Sequence, residues 1–286
     1  MGLAHVTAYA QQGKLLLSEL LFQPRSGEAE YVELYNNSNA DVELSEYHIV
    51  RWIGDSLGKH YSLPSYTVGA HEYVVLTKDA ASVTANYTVR QISRLVECNL
   101  PTYPNDGGAV VLCKADSTIV QRLDYSPSMH SRLLRNKSGV SLERRDFMRD
   151  VNEASNWFSA SSLSGYGTPG YENSQSSEYL VEEASFQFSS DIVSPDGDDY
   201  QDELSIEYTL DDWELAARAE VRDARGKLIL RLLNGALLGT HGTILWNGRS
   251  VDGRRLPQGQ YIIVITIYNT AGTQQVLKRT VALMYK

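Results

Sequence analysis

Hydrophobic and polar residues alternate in short runs along the first half of this chain, and helical periodicity is almost absent. The runs are bounded by Gly, Pro, Asn, Asp and Ser, which is typical of strands joined by turns. About seven short strands at this spacing indicate a β-sandwich. One short helix is predicted within residues 77–86. The predicted strands are 14–21, 31–35, 47–52, 72–76, 109–112, 119–123 and 141–144.

A second series of strand-like runs follows a change in composition. Residues 161–177 are rich in Ser and Gly, which favours an irregular crossing that leads into a linker. The pattern as a whole predicts an all-β protein of two Ig-like β-sandwich domains in tandem. Their predicted bounds are 14–174 and 185–286, with a short Ser/Glu-rich linker at 175–184. The later strands are predicted at 204–210, 215–223, 228–232, 242–246, 260–268 and 274–283.

The composition agrees with a β-rich chain and limits the classes of partner that the chain is expected to bind. The 286 residues include 18 Tyr against 5 Phe and 4 Trp, and Tyr favours half-buried strands. The formal net charge of −9 makes nucleic acid an unlikely general partner, because phosphate contacts need a basic face. No apolar run approaches the length of a membrane-spanning helix, so no membrane span is predicted.

The two cysteines leave two interpretations open. Cys98 and Cys113 flank the turn signal Asn105-Asp106-Gly107-Gly108, which predicts that they lie near each other across a hairpin. Cross-strand distances would permit a disulfide between them. The alternative is a pair of buried thiols.

The first 13 residues are predicted to form an N-terminal tail outside the domains. Ala8-Tyr9-Ala10 has the small-x-small form of a signal cleavage site, but no basic and apolar regions precede it. We interpret the segment as the stub of an export signal behind an expression start, or as a disordered tail.

Charge is the most informative local feature of the second domain. Residues 191–214 contain ten acids and no Lys or Arg. Asp196, Asp198 and Asp202 occupy positions 1, 3 and 7 of a short loop, and hard oxygen ligands from one loop suit Ca²⁺. The carbonyl oxygen of Tyr200 is the predicted extra ligand. The alternative is an Asp/Gly turn whose carboxylates cap backbone N–H groups and face water.

The remaining polar features favour structural roles. Glu33 and Asn36 are predicted at a strand end, satisfying turn backbone groups, and Trp157 is predicted to pack against the sandwich. The basic stretch 132–149 is interpreted as a solvated hairpin or as a surface for an anionic ligand. No His-Glu-x-x-His pair, nucleophile elbow or phosphate-binding loop occurs, so no catalytic residue is predicted.

A series of motifs gives the first domain a family resemblance. Over residues 14–174 it resembles a lamin tail domain, an Ig-like module of nuclear lamins that also occurs in exported bacterial proteins. The motifs, in order, are Leu16-Leu17-Ser18-Glu19-Leu20, Tyr31-Val32-Glu33-Leu34-Tyr35-Asn36, Asp41-Val42-Glu43-Leu44-Ser45, Asn105-Asp106-Gly107-Gly108, Ser141-Leu142-Glu143-Arg144, Asn156-Trp157, Gly167-Thr168-Pro169-Gly170 and Asn173-Ser174.

The second domain resembles the Ig-like domain of flagellar hook-capping proteins, which recurs at the C-termini of bacterial surface proteins. One departure is Trp246-Asn247-Gly248, where that family often has Trp-Asp-Gly. Similar terminal β domains also serve as secretion signals. The motifs that carry the resemblance are Ser194-Pro195-Asp196-Gly197-Asp198, Val221-Arg222-Asp223-Ala224-Arg225-Gly226, Asp252-Gly253 and Leu256-Pro257-Gln258-Gly259-Gln260-Tyr261.

Together these features predict a non-enzymatic, exported or envelope-associated bacterial module with an adhesion or scaffold role. Its partner is expected to be a protein or glycan of the cell envelope. The resemblances leave two alternatives: an accessory subunit of a nuclease or other secreted hydrolase, and a cargo domain followed by a secretion or anchoring domain. A fold of this kind does not by itself select among them.

Overall fold

The computed structural model describes residues 13–285, so the predicted N-terminal tail, apart from Gly13, lies outside the described residues. The chain is all-β and divides into two compact units. The first unit extends to Ala160 and includes Ser164–Ser177; the second comprises Ser161–Leu163 and the chain from Glu178 onward. The Ig-like β-sandwich class predicted from the hydrophobic pattern is confirmed.

The first unit contains a six-stranded and a four-stranded sheet. The strand order is β12-β11-β1-β2-β7-β8 in the larger sheet and β10-β9-β4-β5 in the smaller one, and β3 and β6 form a separate pair. All of these pairs are antiparallel except β7 with β8. The strands are β1 (Leu15–Leu21), β2 (Tyr31–Asn36), β3 (Val42–Glu43), β4 (Tyr47–Ile53), β5 (Ser56–Ser62), β6 (Thr67–Val68), β7 (Tyr73–Thr77), β8 (Leu95–Glu97), β9 (Gly108–Lys114), β10 (Ile119–Tyr125), β11 (Leu142–Arg144) and β12 (Trp157–Ser159).

The predicted helix is also present. α1 (Ala80–Asn86) begins after Asp79, whose carboxylate accepts the backbone N–H of Ser82 at 2.9 Å. An acceptor at this position satisfies one of the free amides of the first turn. The remaining helical segments are single 3₁₀ turns at Leu44–Glu46, Ile92–Arg94, Pro127–Met129, Ala154–Asn156 and Ser177–Tyr179.

The second unit contains a three-stranded sheet, ordered β13-β15-β18, and a five-stranded sheet, ordered β14-β20-β19-β16-β17. Alternate residues along β19 are buried, as expected of a strand with one face on the core. The strands are β13 (Ser185–Phe188), β14 (Ile192–Val193), β15 (Leu204–Thr209), β16 (Ala216–Asp223), β17 (Leu228–Leu237), β18 (His241–Trp246), β19 (Gly259–Tyr268) and β20 (Gln274–Leu283).

A β-bulge in β1 decides which side chains of this strand enter the core of the first unit. Leu17 pairs with Leu34 and Glu19 pairs with Glu33, so Ser18 is the extra residue between two consecutive pairs. The bulge reverses the alternation of the strand. Leu17 and Leu20 therefore both point into the main core, and Glu19 points to the opposite face of the sheet.

The hairpin predicted for the two cysteines is wrong, and both thiols are free. Cys98 directly follows β8, which pairs with β7 in the six-stranded sheet, whereas Cys113 lies on β9 in the four-stranded sheet. The turn between them therefore connects two sheets and not two neighbouring strands. Burial raises the pKa of the Cys98 thiol to about 11, which keeps it protonated and unreactive at neutral pH.

Trp157 packs in the core as predicted, with its indole N–H donating to the carbonyl of Val151 at 2.7 Å. Asn36 ends β2 and its amide donates to the loop carbonyls of Ala40 at 2.8 Å and Gly69 at 2.9 Å. The predicted position of Glu33 at a strand end is wrong, because it lies in the middle of β2 and is fully buried. Within residues 13–285, every helix is too short or too polar to cross a lipid bilayer.

Candidate functional site

Three glutamates lie side by side on the outer face of the six-stranded sheet. Glu19 on β1 is paired with Glu143 on β11 and with Glu33 on β2. All three are completely buried. Directly paired residues of neighbouring strands are adjacent on one face of a sheet, so the three carboxyls form one row.

An irregular segment at 164–177, here named the strap, covers this row. Its backbone amides donate to all three carboxyls: Thr168 to Glu19 at 3.0 Å, Gly170 to Glu33 at 2.7 Å and Gln175 to Glu143 at 2.9 Å. A segment without secondary structure can be buried only if its backbone groups find partners. The glutamates supply those partners.

The strap lies in the part of the chain whose Ser/Gly composition predicted an irregular crossing and linker. The predicted irregular path is present, and most of the strap from Gly167 to Ser176 is buried. Small residues suit this close approach to a sheet as well as they suit the linker predicted for residues 175–184.

Hydroxyl groups complete the site. The phenol of Tyr31 donates to Glu19 at 2.6 Å, and the hydroxyl of Ser141 donates to the same carboxyl oxygen. The hydroxyl of Ser174, in the strap, donates to Glu143 at 2.8 Å. Glu19 and Glu143 therefore have dense hydrogen bonding in place of a charged partner, whereas Glu33 accepts from Gly170.

The amide of Asn173 connects the strap to the bulge in β1. Its Nδ2 atom donates to the carbonyl of Ser18 at 3.1 Å and to the carbonyl of Arg144 at 2.8 Å. The bulge frees the Ser18 carbonyl from regular strand pairing. The same local irregularity thus turns Glu19 outward and provides a second attachment point for the strap.

The hydroxyl of Thr168 lies among several oxygen acceptors, which favours a protonated carboxyl in this site. Its Oγ1 atom lies 3.2 Å from Glu19 Oε2, 2.9 Å from Glu143 Oε1 and 3.3 Å from the side-chain oxygen of Asn173. One hydroxyl proton cannot satisfy several acceptors. A protonated Glu143 would donate to Thr168 Oγ1 and leave the Thr168 proton for Glu19.

The electrostatics agree with that arrangement. Burial, together with repulsion from Glu19, raises the pKa of Glu143 to about 8. Burial also raises the pKa of Glu19, and burial with repulsion from Glu19 raises the pKa of Glu33 well above its usual value. The row is therefore partly protonated at neutral pH, and its chemistry is that of a hydrogen-bonded anchor.

All three glutamates lie in the motifs that carry the lamin tail resemblance, but those motifs predicted no joint role for them. A usable signal was present for two of them: Glu19 and Glu33 each lie in a run of hydrophobic strand residues, where a solvated charge is not expected, whereas Glu143 is followed by two arginines. The amino-acid order alone could not show that three strands and the strap meet at one place.

The acidic loop predicted as a calcium site does bring its carboxylates together. The carboxylate oxygens of Asp196, Asp198 and Asp202 lie within 4.8 Å of one another. Several of them also accept backbone N–H groups: Asp202 accepts those of Gly197 at 2.7 Å and Asp199 at 2.9 Å. The loop therefore has both features: its carboxylates cap backbone N–H groups, as in the alternative interpretation, and they converge as a cation site requires.

Tyr200, the predicted extra ligand, lies in the same loop, and its backbone N–H donates to Asp198 at 3.0 Å. Its side chain is 64% exposed. Asp199 and Gln201, on either side of it, have positive φ angles of 64° and 58°. These angles give the loop the tight path that turns its carboxylates toward one another.

The basic stretch 132–149 does not form one surface. Arg144 is buried, and its guanidinium donates to the carbonyls of Leu17 at 3.3 Å and Arg149 at 2.7 Å. Arg149 is paired with Glu153. These two bases therefore serve structural contacts, whereas Arg132 and Arg135 are exposed.

Solved structures resemble parts of the chain only weakly. CopC from Methylosinus trichosporium OB3b is 14% identical over 37% of this chain and 93% of its own, with a TM-score of 0.24. FlgD from P. aeruginosa is 19% identical over 36% of this chain and 76% of its own, with a TM-score of 0.26. Dimeric latent PorU from Porphyromonas gingivalis is 8% identical, with a TM-score of 0.29, and the likeness covers 96% of this chain but 34% of PorU. Likenesses of this size carry no conclusion about function.

Comparison at the sequence level bears on the first unit. No curated protein matches the chain. A family model does match residues 8–127, a region that includes β1, β2 and two of the three strap-binding glutamates. The resemblance of the second unit to hook-capping proteins has no such support. The family whose model matches residues 8–127 is the Lamin Tail Domain.

Proposed function

We propose that this chain is a non-enzymatic binding or scaffold module of an exported or envelope-associated bacterial protein. Its partner in this proposal is a protein or glycan of the cell envelope, and its role is adhesion or the building of a surface structure. The lamin tail match over residues 8–127 supports a binding domain and names no reaction.

The observation that carries the proposal is the use made of the three buried glutamates. A catalytic acid or base must reach the proton that it transfers. Glu19, Glu33 and Glu143 are completely buried, and they accept hydrogen bonds from the strap. These three carboxyls, whose pKa values burial raises, are thus occupied by structural contacts, which favours a module that holds a shape over one that performs chemistry.

The test combines localisation with binding. Fractionation of the native host should place the protein in the periplasm, on the surface or in the medium. The purified full chain should then be retained on isolated cell envelopes and not on double-stranded DNA, because a chain with a net charge of −9 has little affinity for phosphates. A cytosolic location would refute the export part of the proposal. Retention on DNA with none on envelopes would instead support an accessory subunit of a nuclease.

The acidic loop supports a second proposal, that the second unit binds Ca²⁺ through Asp196, Asp198 and Asp202, with the carbonyl of Tyr200 as a further ligand. The convergence of three carboxylates within 4.8 Å favours it. A carboxylate that already accepts an N–H group keeps lone pairs for a cation. The ion would stiffen the loop and take no part in a reaction.

Calcium is expected to raise the unfolding midpoint of the second unit. At about ten to a hundred times Kd, a ligand that binds only the folded state stabilises by roughly 1.5 to 3 kcal/mol. Thermal unfolding of the full chain in CaCl₂ and in EDTA measures the shift. Asp198→Asn should abolish it while still accepting the Tyr200 N–H, and Asp211→Asn, on an exposed residue outside the loop, should not. An equal midpoint in both buffers would exclude the ion.

A further inference from the structure

The outer face of the three-stranded sheet in the second unit carries a compact group of polar side chains. Gln187 on β13 is paired with Glu207 on β15, which is paired with Thr243 on β18. The neighbouring row consists of Ser185, Thr209 and His241. Since their β15 neighbours Ile206 and Tyr208 point into the core, these two rows form the solvent face of the sheet.

An aromatic residue forms one wall of this face. The ring of Tyr179 packs on the ring of His241, with 3.9 Å between the ring centroids and an angle of 32° between the planes. Tyr179 is still 38% exposed. A rigid ring that keeps an open surface next to polar side chains is a suitable platform for an amphipathic ligand.

These residues line a cavity of about 260 Å³. Pockets for drug-sized ligands usually begin at about 300 Å³, so this one suits a single small ring or one unit of a longer chain. Its lining residues include one carboxylate, that of Glu207, and neither Lys nor Arg. Phosphates, sulfates and acidic sugars are therefore disfavoured by charge.

We infer that this cavity binds a neutral pyranose sugar. One face of a pyranose ring presents C–H groups, which can pack on the exposed surface of Tyr179. Its edge presents neighbouring hydroxyls that both donate and accept hydrogen bonds. The carboxylate of Glu207 offers two acceptors, and the adjacent amide of Gln187 offers a donor and an acceptor, which matches such a pair.

The inference rests on the proposed function, because it names the sugar-binding site of a module that recognises the cell envelope. A glycan chain would place one sugar in the cavity and extend over the open sheet face. Binding of a single sugar is expected to be weak, since a small ligand has few atoms with which to offset the entropy lost on association.

Saturation-transfer NMR on the full chain tests the inference. The probes are methyl α-D-glucopyranoside, methyl β-D-galactopyranoside and N-acetylglucosamine, with glucose 6-phosphate as the charged comparison. At least one neutral probe should bind with a Kd in the millimolar range, and glucose 6-phosphate should bind at least fivefold more weakly. No signal from any of the neutral probes would refute the site.

Two variants locate the binding. Tyr179→Ala and Glu207→Gln should each weaken it at least tenfold while the far-UV circular dichroism stays unchanged. Leu245→Ala is the matched control, because Leu245 is 51% exposed on the same sheet beyond the cavity, and it should bind like the wild type. Equal binding by Tyr179→Ala, Glu207→Gln and wild type would overturn the assignment.

The envelope-binding assay separates this inference from the proposed function. Envelope binding that persists in Tyr179→Ala would refute the cavity as the envelope-recognition site and leave the proposed function intact. Sugar binding at the cavity by a protein that is not retained on envelopes would confirm the site and remove the proposed function.

Discussion

Replacing Glu143 with glutamine is expected to keep the strap anchored at alkaline pH, where the wild-type strap loosens. The glutamine amide can donate to Thr168 Oγ1 as a protonated carboxyl does, and its oxygen can accept from Gln175 and Ser174. The hydroxyl of Thr168 then donates to Glu19. The variant therefore keeps the hydrogen bonds of the protonated site at every pH.

The direction of the pH effect follows from the pKa of Glu143. Burial and repulsion from Glu19 raise it from 4.5 to about 8, so the folded chain binds more protons than the unfolded chain between these values. Stability from this group is fully present below pH 4.5, falls as pH rises and is lost above about 8. Between pH 6.5 and 8 the loss is about 1.5 kcal/mol, because Glu143 passes from almost fully protonated to half protonated and one proton per pH unit corresponds to about 1.4 kcal/mol.

Other groups of the site act in the same direction within this window. Burial also raises the pKa of Glu19 and Glu33, so deprotonation of either adds to the loss of stability at alkaline pH.

Burial lowers the pKa of His130 from 6.5 to about 4. Its effect on stability is therefore confined to the acidic side, where stability falls as pH decreases from 6.5 through 4.

Amide hydrogen exchange of strap peptides between pH 6.5 and 9 measures the effect. Comparing wild type and Glu143→Gln at each pH cancels the intrinsic dependence of exchange on pH. Protection of the strap should fall with rising pH in the wild type and fall less in the variant. Glu182→Gln, which changes an exposed glutamate, should follow the wild type. Parallel curves for wild type and Glu143→Gln would show that Glu143 holds no proton in the folded protein.

Replacing Gly167 with alanine should displace the strap. A Cβ atom at this position would lie 2.6 Å from the hydroxyl oxygen of Tyr31 and 2.8 Å from Cδ1 of Tyr87. Both rings are buried, and the Tyr31 hydroxyl donates to Glu19, so neither can move without breaking other contacts. Overpacking of this kind destabilises by about 2 to 3 kcal/mol, which thermal unfolding of the first unit should detect.

Gly165→Ala is the matched control for that substitution. Gly165 has a φ angle of 77° and no atom within 4 Å of an added Cβ, so alanine there is disfavoured by backbone conformation alone. That conformational effect is about 1 kcal/mol. Gly167→Ala should therefore lower both the midpoint and the exchange protection of the strap more than Gly165→Ala does. Equal effects would show that the strap does not depend on close packing against Tyr31 and Tyr87.

Much of the fold could be predicted because it depends on local pattern. The strands with regular alternation, such as β19, and the capped helix α1 lie close to their predicted positions. Short strands were missed where alternation is too brief to detect, as in β14. β5 was missed because none of its residues is fully buried, so it has no clear apolar face.

The two candidate sites also differ in how far the sequence could predict them. The acidic loop is local in sequence, so its convergence could be predicted from the spacing of Asp196, Asp198 and Asp202. The strap site joins Glu19 to Thr168, which is 149 positions away in the chain. Spacing cannot predict a contact of that kind.

The sequence by itself determined that this protein is all-β, that its chain forms two sandwiches and that its acids cluster in one loop, because alternation and spacing act over a few neighbouring residues. Only the tertiary structure decided that Glu19 faces outward, since the extra residue Ser18 reverses the alternation of β1. It also decided that a Ser/Gly-rich segment is buried. The physical reason is that buried backbone amides need acceptors, and the carboxyls that supply them come together only when distant strands pair.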